Sequence, residues 1–152
     1  LTFVLLVRLA SLFFLLGCVA CLSAPDCIPL STNEAGIEFK NRSNQPLATG
    51  IQRITNLTSG IVYTLTPEND TTSYIRLPMA PDRDTTVLRF VTDLGIDTVA
   101  LSYTTRLTVV SPECGALRNF NDLRVINTSF DSIRVINPLL RSNVRTHVEI
   151  VF

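Results

Sequence analysis

The stretch Asp97–Ser111, DTVALSYTTRLTVVS, alternates apolar and polar side chains almost without interruption, and that period of two constrains the fold more than any other feature. Val99, Leu101, Tyr103, Leu107 and Val109 share one face, broken only by Thr105, while Ser102, Thr104, Arg106 and Thr108 make up the other. A strand with one face on a core and one in water reads this way. Past residue 31 no ten-residue stretch carries the 3.6-residue apolar spacing of a helix. The chain is therefore read as many short strands.

Further strands are predicted by the same test. Gly36–Lys40 places Ile37 and Phe39 inward, Gly60–Leu65 and Ser73–Leu77 are short, and Thr86–Thr92 sets Leu88 and Phe90 on one face. Asp93–Ile96 contains Gly95, suited to the positive φ of a hairpin loop, and joins that strand to the long one. Gln45–Leu57 is a weaker strand because Pro46 and Gly50 interrupt it. Arg124–Asn127 recurs as Arg134–Asn137, read as two strands joined by Thr128–Ser132, since one repetition makes no solenoid. Val144–Phe152 is predicted as a last strand, with Val144, Val148, Ile150 and Phe152 inward and Arg145, His147 and Glu149 on the solvent face. That many strands exceed one small twisted sheet. The expected fold class is all-β, an antiparallel two-sheet β-sandwich of about seven to nine short strands preceded by an N-terminal signal segment.

The N-terminus is read as an address. Residues 1–22, LTFVLLVRLASLFFLLGCVACL, carry one charge, Arg8, ahead of the uncharged run Leu9–Leu22. That run is shorter than the roughly 20 apolar residues of a spanning helix and has the layout of an export signal. The expected division is a lipoprotein signal over 1–22, a tether over 23–33 and a single β-sandwich domain over 34–152. Two cysteines compete for the lipid. Cys18 follows Leu15-Leu16-Gly17, the better lipobox, whereas Cys21 has the longer apolar core. Parity favours Cys21, because Cys18 then departs with the signal and leaves Cys27 and Cys114 to form a disulfide in an oxidising compartment. A redox or zinc role for the Cys18–Cys21 spacing is disfavoured inside an apolar export segment with no second close-spaced pair.

Thirteen Lys+Arg balance thirteen Asp+Glu, so no net field draws the chain to nucleic acid. Of the basic residues only Lys40 is not Arg. Arginine suits phosphate and carboxylate recognition, but the arginines are scattered and are read as compositional. Eight Phe and three Tyr with no Trp are thin for stacking on bases, and Phe39, Phe90 and Phe152 are assigned to the core. His147 is the only histidine and is expected to be solvated. No nucleophile-elbow motif accompanies it, and Asp82-Arg83-Asp84 lacks calcium-loop spacing and reads as a charged turn. No catalytic residue, metal ligand or cofactor site is assigned. Sequons at Asn41, Asn56, Asn69 and Asn127 are read as chance products of a Ser/Thr-rich chain.

Several short motifs, in order, resemble an uncharacterised family of small cell-envelope lipoproteins of Bacteroidota. They are Cys21-x5-Cys27, Leu77-Pro78-Met79 followed by Asp84-Thr85-Thr86, Asp97-Thr98 with Ser102-Tyr103-Thr104, Val110–Gly115 leading to Phe120-Asn121-Asp122-Leu123, and His147-Val148-Glu149-Ile150. Where that family has a basic residue soon after the tyrosine, Arg106 stands one position late. The resemblance implies a lipid-anchored β-domain, favours Cys21 as the anchor, and brings no activity. The expected function is a non-enzymatic binding or assembly module, held to a membrane by its lipid, facing the periplasm or the cell surface on the outer membrane. Its expected partner is an envelope protein or glycan, not nucleic acid. Two alternatives stand beside it. One is a small outer-membrane β-barrel, suggested by terminal Phe152 but short of aromatic girdles; the other is an envelope hydrolase using two carboxylates.

Overall fold

β-branched and aromatic residues at alternate positions give every strand one apolar edge to bury, and the chain satisfies them by passing between two sheets. The computed structural model describes residues 32–63, 71–112 and 114–152. The strands are β1 (Glu34–Lys40), β2 (Ile51–Asn56), β3 (Val62–Tyr63), β4 (Tyr74–Pro78), β5 (Thr85–Thr92), β6 (Ile96–Ser111), β7 (Gly115–Thr128), β8 (Ser132–Val135) and β9 (Val148–Val151). They form a four-stranded sheet in the order β4-β1-β9-β8 and a five-stranded sheet in the order β3-β2-β5-β6-β7. These are two open sheets rather than a closed ring, which sets aside the β-barrel alternative. The expected all-β sandwich is what the chain adopts. The signal over 1–22, the tether residues 23–31, and Cys18, Cys21 and Cys27 lie outside the described residues.

The core lies between the sheets. Ile37 and Phe39 of β1 face Ile54, Leu88, Phe90, Val99 and Leu101 of the larger sheet, all fully or nearly fully buried. Four phenylalanines close a ring of edge and tilted contacts: Phe39–Phe90 at 6.2 Å, Phe90–Phe130 at 5.5 Å, Phe130–Phe152 at 5.6 Å and Phe152–Phe39 at 6.1 Å. Each such pair adds about 0.5–1.5 kcal/mol beyond simple burial. Phe152, half-buried, packs against the core, close to where the sequence reading has it.

Gly95 takes φ 151° in the β5–β6 turn, where its carbonyl accepts from Thr92 N–H at 2.8 Å. The predicted hairpin forms there.

Three expectations are corrected. First, the pairing is not wholly antiparallel, because β9 lies parallel to β1, from Ile37↔Val148 to Lys40↔Val151. Second, β9 is only Val148–Val151, and side chains on both of its faces are buried, Val148 and Ile150 in the core and Glu149 against Lys40 and Arg134. His147, expected in solvent, is 0% exposed, and Glu149 is 6% exposed. Third, Leu107 and Val109, expected in the core, are 64% and 76% exposed. They keep the predicted face, but β5 ends opposite Ser102, and beyond that point β6 pairs only with β7. The face outruns the sheet that would cover it. The recurring RVIN segments do lie in two successive strands, β7 ending at Thr128 and β8 starting at Ser132, the second segment running just beyond β8, and the two strands enter different sheets.

Candidate functional site

The β6–β7 ribbon beyond Ser102 is an arm, paired from Thr104↔Asn121 to Ser111↔Gly115. Its base is irregular because β7 carries two more residues than β6 opposes, with register shifts at Ala100/Leu101 and Ser102/Thr104. Asp122, in the second shift, takes a left-handed φ of 55°, a conformation Asp tolerates better than most residues. Its carboxylate accepts from Thr104 Oγ1 at 3.1 Å. The bulge turns the arm away from the core and exposes its surface.

The β4–β5 loop is clamped to that base by Tyr103. The phenol donates to Ala80 O at 2.7 Å and shares a 2.8 Å bond with Thr86 Oγ1, which accepts from Ala80 N–H at 2.9 Å. Burial pushes the Tyr103 hydroxyl above its ordinary pKa, so it stays a neutral donor. Arg118 on the arm donates to Pro81 O. Between loop and arm lie two adjoining open depressions. One, of about 640 Å³, is bordered by Asp82, Asp84, Leu107 and Arg118; the other, of about 520 Å³, by Asp84, Ser102, Asp122 and Arg124. Asp82 pairs with Arg83 at 3.8 Å, consistent with the charged turn read from sequence.

The smaller sheet holds a different chemistry, in which each polar group is bonded within the fold. His147 Nδ1 accepts from Gly36 N–H at 2.9 Å, and His147 N–H donates to Gly36 O at 2.8 Å. Of the two backbone N–H groups facing the ring, Gly36 at Nδ1 is the closer and Arg141 stands 3.4 Å from Nε2, so Nδ1 is the acceptor and the ring proton sits on Nε2. Burial, reinforced by nearby Arg76, pushes its pKa below the ordinary histidine value, so the ring is neutral and structural. Tyr74 OH donates to Arg145 O at 2.7 Å and accepts from Arg76 Nε at 2.9 Å. The Arg145 guanidinium stacks 5.0 Å from the Tyr74 ring centre. Gly36 makes this closure possible, since a Cβ there would stand 1.9 Å from Arg145 O.

Glu149 completes that sheet. Its Oε1 meets Lys40 Nζ at 2.5 Å and its Oε2 meets Arg134 Nε at 2.5 Å. Burial raises the carboxyl pKa, but the two hydrogen bonds and positive charges outweigh it and hold the group below the ordinary value. Sequence reasoning missed this ion cluster and the need for Gly36. The only sequence signal was the run His147-Val148-Glu149-Ile150, taken as a motif without a role.

Of the cysteines, Cys114 stands at the arm's tip, its N–H donating to Ser111 Oγ at 3.0 Å. Asn56 is buried, and its Oδ1 accepts from Thr58 and Ser59 N–H at 3.0 and 3.2 Å, which makes it a turn cap. Asn41 does the same for Gln45 N–H at 2.9 Å.

No curated protein and no solved structure matches the chain. The profile of a family of unknown function, DUF6452, matches residues 57–152, a stretch that holds the arm, both depressions and the His147–Glu149 segment and leaves out β1. The chain belongs to DUF6452, a family of unknown function.

Proposed function

We propose that the protein is a non-enzymatic binding or assembly module, tethered by a lipid to a membrane of the bacterial cell envelope, with a protein or glycan of that envelope as its partner. The arm carries the binding half of this reading. A two-stranded ribbon is marginal in water by itself, yet this one runs past the sandwich and displays Leu107 and Val109 at 64% and 76% exposure. Chain length is committed to surface rather than to core, as a partner-binding element requires.

The anchoring half rests on the export-type N-terminus, with Cys21 carrying the lipid and Cys18 as the alternative. Cys27 pairs with Cys114, a reading supported by Cys114 being disulfide-bonded. Such a bridge ties the tether to the arm's tip, and an outer-membrane lipoprotein of Bacteroidota facing the periplasm or surface fits the set. A carboxylate hydrolase is supported less. Asp84 and Asp122 border one depression, but it is an open surface hollow and both carboxylates accept from local threonines, whereas glycoside cleavage uses a cleft in which two carboxyl groups face each other across the sugar.

Labelling cells with a radioactive fatty acid tests the anchor. Label is expected in the wild type and lost in Cys21→Ala; none in the wild type overturns it, and full retention in Cys21→Ala moves the lipid to Cys18. For the arm, Leu107→Glu with Val109→Glu should abolish cross-linking to the envelope partner while leaving the unfolding midpoint unchanged. Identical cross-links in wild type and variant would sink the arm as the binding element.

A further inference from the structure

The arginines divide by whether the fold uses them. Arg42, Arg76, Arg83 and Arg134 sit in ion pairs, Arg118 holds a carbonyl, and Arg145 lies on a tyrosine ring. Arg53, Arg89, Arg106, Arg124 and Arg141 are exposed and make no side-chain hydrogen bond or ion pair among the described residues, and Arg141, ahead of β9, stands apart from the other four. These four share the outer face of the five-stranded sheet. Arg53 is opposite Val91, Arg89 is flanked by Thr55 and Thr98, Arg124 is opposite Ser102, and Arg106 carries the face onto the arm opposite Asn119. Leu88, Phe90, Val99 and Leu101, which alternate with them along the strands, point into the core.

The registers place the four residues in a band that runs mainly along the strands, from Arg53 on β2 past Arg89 on β5 and Arg124 on β7 to Arg106 on β6. With strands about 4.8 Å apart and a rise of about 3.3 Å per residue, Arg53 and Arg89 lie within about 10 Å of each other, and Arg106 about 30 Å further along. Thr55, Thr98, Ser102 and Thr104 supply hydroxyls between them. Three carboxylates border the track and are already engaged: Asp93 accepts from Gly50 N–H at 3.1 Å, Asp122 from Thr104 at 3.1 Å and Asp84 from Thr85 at 3.4 Å. None pairs with the four arginines within 4.0 Å.

We infer that this face binds a linear polysaccharide bearing carboxylates, the inference resting on the binding-module reading above. Each guanidinium offers a planar fork matched to a carboxylate, and the hydroxyls between them match those of sugar rings. A band about 35 Å long suits an extended polymer lying along the strands, where a small ligand would need a concave pocket. Charge complementarity is local, because the chain as a whole has a formal net charge of zero.

The probe is polygalacturonate, with dextran as the neutral polymer and phosphatidylglycerol vesicles as the anionic surface, titrated against the full-length protein in detergent. Binding of polygalacturonate that weakens steeply with salt is expected, with none to dextran. Arg89→Gln with Arg124→Gln should lose at least tenfold in affinity at an unchanged unfolding midpoint. Arg42→Gln with Arg83→Gln, the same charge change at ion-paired arginines, should lose less than twofold. No binding by the wild type, equal loss in both double variants, or tighter binding to vesicles than to polygalacturonate would each overturn the inference. The cross-linking by Leu107 and Val109 reports on the binding-module reading independently.

Discussion

In the four-stranded sheet Arg76, Arg134 and Arg145 each have a partner inside the fold, whereas Arg53, Arg89 and Arg124 of the five-stranded sheet have none among the described residues. The difference follows from position. β1 and β9 are central in their sheet, and Glu38, Lys40, His147 and Glu149 along or next to them are buried or half-buried, so these polar groups are satisfied from within. The larger sheet has one face on the core and one in water, and its polar groups are under no such demand. The smaller sheet thus holds the fold, and the larger one offers surface.

Breaking the lock should have the largest effect. Gly36→Ala pushes a Cβ to 1.9 Å from Arg145 O and should cost about 3 kcal/mol, read from the urea midpoint of the intact protein. A loss under about 1 kcal/mol would mean that the 141–147 segment moves aside easily and that the lock is soft.

Glu149→Gln comes next. It leaves Lys40 and Arg134 facing a neutral amide in a site where the carboxylate side chain is 8% exposed, at an expected cost of about 2–3 kcal/mol. Asp122→Asn, on the arm side, should stay within about 0.5 kcal/mol. Equal losses in the two variants would erase the contrast between the sheets.

Acidification probes the same sheet without substitution. The folded-state pKa of His147 is lowered, so below the unfolded value of about 6.5 the unfolded chain binds a proton that the folded chain refuses. Stability should therefore fall as pH drops from that value toward the lowered one. Glu149, also lowered, adds a second loss as pH falls below the ordinary glutamate range and through its folded value. Unfolding free energies of wild type and His147→Gln against pH should converge in slope above pH of about 7 and diverge below it. Parallel curves throughout would remove His147 from the account.

Strand existence was legible because alternation survives in short windows. Ile37 and Phe39, Leu88 and Phe90, and Val99 and Leu101 point where their spacing says. What alternation cannot encode is the neighbour. Whether His147 and Glu149 meet water is decided by their partners, Gly36 and Lys40 of β1 and Arg134 of β8, and β1 lies more than a hundred residues earlier in the chain. The fate of Leu107 and Val109 likewise depends on where β5 stops. The arginine face was hidden for the same reason: Arg53, Arg89, Arg106 and Arg124 are scattered in sequence and gathered only by register.

Residue-resolved hydrogen exchange of the intact protein tests the division most directly. The account predicts that the Gly36 and His147 amides, bonded to each other's residue across β1 and the start of β9, exchange only through global unfolding, and so slow with added stability. The arm amides beyond Thr104 should exchange at least a hundredfold faster, independently of denaturant. Arm amides as protected as Gly36, or a His147 amide released by local opening, would contradict it.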